Sequence, residues 1–231
     1  MDAKTTNRPA TDQDIHDRIW SSIVDRQLAP GTRLKEEHLA EIFNVNRARI
    51  RQVLQHLARD GLITLVPNRG AFVAEPSIEE ARDVFFARRT IEERLVERLC
   101  ATIDDQGARR LRDHVAAERR AHDAGDFETA IRLSGAFHML IADLAQSQIL
   151  AGLLRDLVSR TSLITALYQS RSAHNCGPDE HEALVEAIVA HDAAAAIEVM
   201  KHHLAHIEAQ LDLEGERAPA RNLADILSPR R

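Results

Sequence analysis

Residues 28–77 read LAPGTRLKEEHLAEIFNVNRARIRQVLQHLARDGLITLVPNRGAFVAEPS, and the fold turns on this stretch. Asn44-Val45-Asn46 has the composition of a tight turn, and Asn46 suits the N-cap of a helix over residues 47–59. At 3.6 residues per turn, Ile50, Val53, Leu54 and Leu57 fall within about 50° of one direction. Ala48, Arg51, Gln52, Gln55 and Arg59 lie on the other side. Arg and Gln have the bidentate geometry that matches guanine and adenine edges in a major groove, and a small Ala48 permits close approach. After Asp60-Gly61 the period changes to short β-type runs at 62–66 and 71–74, joined by Pro67-Asn68-Arg69-Gly70. The tip of that hairpin would reach phosphate or minor groove as a wing. A solvated arginine-rich face is the plainer alternative for the same residues. Upstream, Thr11-x-x-Asp14 is a capping box for a helix running to about Leu28, where Pro30-Gly31 stops it, and a short helix follows over about 35–43.

Charge divides along the chain. The 231 residues carry 30 Lys+Arg and 36 Asp+Glu, a formal charge of −6 that argues against nucleic acid as a partner. Residues 1–76 hold 11 basic and 10 acidic side chains, and 77–231 hold 19 and 26, so the acid belongs to the second part. Between Phe43 and Ala74 five arginines (Arg47, Arg49, Arg51, Arg59, Arg69) face one acid, Asp60.

From Ser77 onward the pattern is helical. Ser77-x-x-Glu80 is a capping box opening a helix to about Ala101, and further helices are expected at about 105–124, 127–146, 148–170, 179–190 and 193–213. Their caps are Asp126, Asp179 (boxed with Glu182) and Asp192. Eight aromatics against abundant Ala, Leu, Arg and Glu fit a mainly α protein. The expected organisation is a flexible N-terminus at 1–10, a winged helix-turn-helix at 11–76, an all-α bundle at 77–213 and a flexible tail at 214–231. Two cysteines without a CxxC pair point to a reducing cytoplasm. The lack of an apolar leader or of 18 uncharged apolar residues points away from secretion and membranes.

Several polar residues sit on apolar stripes of the bundle. Arg88 and Glu92, one turn apart, lie near the centre of the stripe made by Ala81, Val84, Phe85, Ile91, Leu95 and Leu99. They form either an internal ion pair that sets helix packing or a guanidinium that grips a carboxylate ligand. His181 falls within the stripe of Leu184, Val185, Ile188 and Val189. His138 flanks that of Phe137, Leu140, Ile141 and Leu144, with Ser134 one turn earlier, and His203 borders that of Met200, Leu204 and Ile207. Three inward histidines on three helices are either hydrogen-bonded core residues or a set that converges on one metal.

The stretch 28–77 resembles the DNA-binding domain of GntR-family bacterial transcription regulators, over about 50 residues with almost no gaps. The resemblance implies that Arg47 and Arg51 contact operator bases, that Arg33 and Arg49 touch backbone or nearby bases, and that Gly70 sits at the wing tip. Asn46 replaces the usual Ser, and Ala48-Arg49 the usual Thr-Pro, changes that bear on which operator is read. The runs RLSGAFHMLIADLAQS (132–147) and HEALVEAIVAHDAAAAIEVMKHHL (181–204) resemble the FCD domain of the FadR-type branch of that family. By that resemblance His138, His181 and His203 occupy the ligand positions for a divalent metal, zinc or nickel, and Ser134 stands where the family has an Asp ligand. Arg88 and Glu92 align with the family's R...E pair, and Arg88, Glu92 and Ser134 become the effector contacts.

The expected protein is therefore a cytoplasmic homodimeric repressor, not an enzyme. It would bind a palindromic double-stranded operator and respond to a small organic acid. Two other readings remain. A metal-dependent hydrolase would use the histidine cluster, with His191-Asp192 as an HD-type pair; an architectural DNA-binding dimer would have no effector.

Overall fold

The two capping boxes are where the sequence places them, and they begin the two halves of the molecule. Thr11 accepts from Asp14 N and Asp14 answers at the Thr11 N–H, starting α1 (Asp12–Val24). Ser77 and Glu80 do the same for α4 (Ile78–Thr102). Each box satisfies two of the donors that a helix start leaves open. The computed structural model describes residues 10–169 and 177–213, so the expected N-terminal segment, apart from residue 10, and the expected tail at 214–231 lie outside the described residues.

The first half continues through β1 (Arg33–Leu34), α2 (Glu36–Phe43), α3 (Arg47–Arg59), β2 (Ile63–Val66) and β3 (Gly70–Val73). Asn46 caps α3 as expected, accepting from Arg49 N at 2.9 Å. Helix α1 is shorter than its pattern, because Asp25 caps it and Arg26 enters the left-handed region at φ +58°. The hairpin β2–β3 forms, and β1 adds a third strand on the other side of β3, pairing Arg33 with Phe72 and Leu34 with Ala71. Two residues are too short a run to show an alternation, so this strand is invisible to periodicity. Ile15, Ile19 and Ile23 of α1 pack with Ile50, Val53, Leu54 and Leu57 of α3 in one core, closed by Leu34, Leu62, Ala71 and Val73.

The second half is a bundle of α4, α5 (Asp105–Asp123), α6 (Phe127–Leu144), α7 (Gln148–Tyr168), α8 (Gly177–Val189) and α9 (Ala193–Ala209). Asp126 and Asp192 cap α6 and α9 as expected. Asp179 does not cap α8: the chain is already helical at Gly177, and Asp179 is ion-paired with Arg119 at 2.7 Å. Leu95, Leu99, Leu111, Phe137, Ile141, Leu184, Ile188, Met200 and Leu204 form the main core. Helix α7 joins the halves: its Leu163 packs into the winged-helix core, while Val158 belongs to the bundle core.

Candidate functional site

Two surfaces carry the polar residues singled out in the sequence. The first is the outward side of α3 with the hairpin. Arg47, Ala48, Arg51 and Gln52 are exposed, as are Arg33, Arg69 and Gly70. Arg33 reaches to about 4 Å from where a Cβ on Gly70 would lie, which brings the β1 arginine beside the turn of the β2–β3 hairpin. The arginines of α3 are held by α2: Arg51 makes a two-pronged contact to Glu36 at 2.7 and 2.9 Å, and Arg47 meets Glu37 at 2.9 Å. In exposed positions such pairs contribute about 1 kcal/mol or less, so phosphates can displace the glutamates. Arg49 differs. Its guanidinium bonds Asp12 and the Ala10 carbonyl, tying the start of α3 to the start of α1.

The second surface is internal. His138, His181 and His203 are 2%, 0% and 1% exposed, and their ring nitrogens converge within 4.8 Å of one another. His203 Nε2 lies 3.2 Å from His181 Nε2 and 3.3 Å from His138 Nε2. Each opposite nitrogen has its own carboxylate: His138 Nδ1 a close contact to Glu92, His181 Nδ1 Glu118 at 2.7 Å, and His203 Nδ1 Glu180 at 2.8 Å. If every Nδ1–H donates to its glutamate, three Nε2 lone pairs face one another. That arrangement is repulsive without a cation among them, and it is the outer-shell geometry that orients histidine ligands. The donor set therefore fits a divalent metal, with imidazole nitrogens suited to zinc or nickel. Of the three glutamates only Glu92 was among the residues singled out beforehand. Glu118 follows Leu111 and Val115 on one stripe, which was its signal, but the surrounding arginines make it read as solvated.

The cluster opens on a cavity of about 780 Å³ lined by Arg88, Ser134, His138, Thr161, His203 and others. Arg88 donates to Glu92 at 2.7 Å and to Thr161 Oγ1 at 3.3 Å, while its Nη2 has no hydrogen-bond partner. One edge of the guanidinium is thus the internal ion pair with Glu92, and Nη2 is buried without a partner. Glu92 is buried behind Arg88 and is not among the residues that line the cavity. Ser134 does line it, and being a serine it brings no carboxylate to the histidines. His191, by contrast, bonds the Cys100 carbonyl and joins no metal-ligand cluster among the described residues.

Residues 11–73 match the profile of bacterial regulatory proteins of the gntR family, and residues 83–206 that of the FCD domain. The HTH-type transcriptional repressor RspR of Escherichia coli is 26% identical over 200 residues, covering 84% of this chain and 86% of RspR. The repressor GlaR of the same organism is 26% identical over 201 residues, covering 80% and 89%. Among solved structures, a putative GntR transcriptional regulator of Rhodococcus sp. RHA1 superposes with a TM-score of 0.77 at 24% identity, covering 86% of this chain and 96% of its own. RspR and GlaR are transcriptional repressors by name.

Proposed function

The chain belongs to the GntR family of bacterial transcription regulators and carries a C-terminal FCD domain, and from that premise we propose that it is a repressor released by a small organic acid. The observation that carries this reading is the cavity wall, which Arg88, with its unpartnered Nη2, shares with His138 and His203, two histidines whose outer nitrogens are already committed to glutamates. An anion entering there gains charge-assisted hydrogen bonds from a desolvated guanidinium, with Ser134 and Thr161 alongside and Glu92 fixing Arg88 from behind. His138, His181 and His203 hold a divalent cation, zinc or nickel. Bound there, it supplies a second positive charge for the same carboxylate, in a site where Ser134 withholds the family's anionic ligand.

On the DNA side, Arg47, Ala48, Arg51 and Gln52 read operator bases. Arg33, Arg69 and Gly70 contact backbone or minor groove, and Arg49 supports the helix start from within reach of phosphate. The protein acts in the cytoplasm as a homodimer on a palindrome. Apolar side chains left open on the bundle support the dimer: Ile149 and Leu153, one turn apart on α7, are 79% and 50% exposed, and Phe86 on α4 is 68% exposed. Effector binding then favours one spacing of the two winged helices over another, which changes operator affinity. The names of RspR and GlaR, both repressors, support the sign of the effect.

A gel shift on the DNA upstream of its own gene tests the reading. The double variant Arg47→Ala, Arg51→Ala is expected to bind at least about thirtyfold more weakly, from about 1–3 kcal/mol per arginine. Unchanged operator binding would overturn the assignment of α3. Zinc added to metal-free protein is expected to raise the melting temperature in proportion to log concentration, and His181→Ala to abolish that rise.

A further inference from the structure

One side chain in the effector cavity belongs to the DNA-binding half. Arg26 follows α1, lines the same cavity as Arg88 and His203, and comes from the far side of the domain boundary. Its Nη2 donates to the neutral Gln169 side chain at 3.1 Å, its Nε is buried with no hydrogen-bond partner, and no carboxylate pairs with it among the described residues. The backbone there is left-handed at φ +58°, a conformation that favours glycine or asparagine and costs a side-chain-bearing residue about 1–2 kcal/mol. That conformation ends α1, with the Arg26 N–H meeting the Ile23 carbonyl at 3.0 Å. Burial also pulls its pKa down to about 10, which leaves it charged at neutral pH.

The surroundings separate Arg26 from the metal cluster without isolating it. Gln169 donates to Gln210 Oε1 at 3.2 Å, Gln210 meets His206 at 3.0 Å, His206 meets Glu180 Oε1 at 2.6 Å, and Glu180 Oε2 meets His203 at 2.8 Å. Four side chains thus intervene along one hydrogen-bonded wall, so the cavity has two distinct cationic positions. The other charged groups lining it have partners: Glu180 is hydrogen-bonded by His203 and His206, Asp179 pairs with Arg119, and Arg88 with Glu92.

We propose that Arg26 forms a second anion subsite of this cavity, and that the natural effector is a diacid whose two acidic groups bridge the bundle and the winged helix. The inference rests on the carboxylate-effector reading and adds the second charge. A carboxylate meeting the Nε–Nη2 edge makes two parallel hydrogen bonds, replacing the neutral contact to Gln169 and satisfying the orphaned Nε–H. Because α1 packs on α3, a ligand held at Arg26 also restrains the platform beneath the recognition helix.

The test is calorimetry on the zinc-loaded full chain with succinate, glutarate and adipate, each against its monoacid, butyrate, pentanoate or hexanoate. At least one diacid is expected to bind about tenfold or more tightly than its partner, the size of a charge-assisted pair. Arg26→Met is expected to erase that preference and leave monoacid binding as it was. It should also raise the melting temperature of the ligand-free protein by about 2–4 °C, since a half-buried cation without a carboxylate partner is gone. A merely structural arginine would lower it. Arg26→Lys, which keeps the charge but loses the fork, is expected to show an intermediate preference and serves if the Met variant does not fold. A diacid preference that survives in these variants, or monoacids binding as well as diacids in the native protein, overturns the subsite alone. Failure of all six acids to bind overturns the carboxylate reading together with it.

Discussion

Burial works on Glu92 and on the histidines in opposite senses. Burial would raise Glu92, but the charge of Arg88, joined by His138, outweighs it and holds the carboxyl at about 2. His138 and His203 are pushed down to about 4 by desolvation, and His181 goes well below its usual value for the same reason. Desolvation raises Glu118 to about 7. In metal-free protein these shifts have a readable consequence. As pH falls from 6.5 towards 4.5 the unfolded chain takes up three histidine protons that the folded one refuses, while folded Glu118 takes up one that the unfolded chain does not. The unfolded state therefore binds a net excess of about two protons. Stability is present above pH 6.5 and falls below it by up to about 2.7 kcal/mol per pH unit. Urea titrations of chelator-treated protein at pH 7, 6 and 5 check this, and a flat profile would show that the imidazoles are not buried neutral. At this scale the sequence showed His181 on an apolar stripe but not its glutamate, because Glu118 and His181 lie 63 residues apart and nothing local links them.

Helix ends are local events, and most of them were readable. Asn46 takes up the cap of α3 with the bond expected of it, so Asn46→Ser is expected to change stability by only a few tenths of a kcal/mol, and Asn46→Ala to remove about 1 kcal/mol. Denaturation of the full chain measures both; equal stability of the Ala variant would mean that tertiary contacts alone hold the start of α3. The cap expected at Asp179 failed for a reason outside its own neighbourhood. Box spacing with Glu182 is present, but both carboxylates bond Arg119 of α5, and the chain is already helical at Gly177, with His181 and Glu180 beside His203 of α9. Strand β1 escaped notice since its two residues become a strand only by pairing with β3.

Across the whole molecule α7 is the element that belongs to both halves. Leu163 enters the winged-helix core, Ile164 next to it faces Phe85 and Tyr168, and the Tyr168 hydroxyl donates to the Pro76 carbonyl at the boundary. Arg160 lies over Gly61, so close that a Cβ there would fall 1.9 Å from its Nη2. Leu163→Ala is expected to destabilise by about 2–5 kcal/mol and to split one unfolding transition into two, the winged helix melting first. Coincident transitions by different probes would show that the halves are joined elsewhere. Periodicity, capping and turn chemistry act over a few residues, and so the sequence by itself determined the helices, the hairpin, the charge division near residue 76 and the inward lean of three histidines. Which carboxylate holds which imidazole, the unpartnered Nη2 of Arg88 and the arrival of Arg26 in the cavity were decided only by the tertiary structure. Those contacts join residues as far as 143 positions apart, and they depend on how helices cross, which local spacing does not encode.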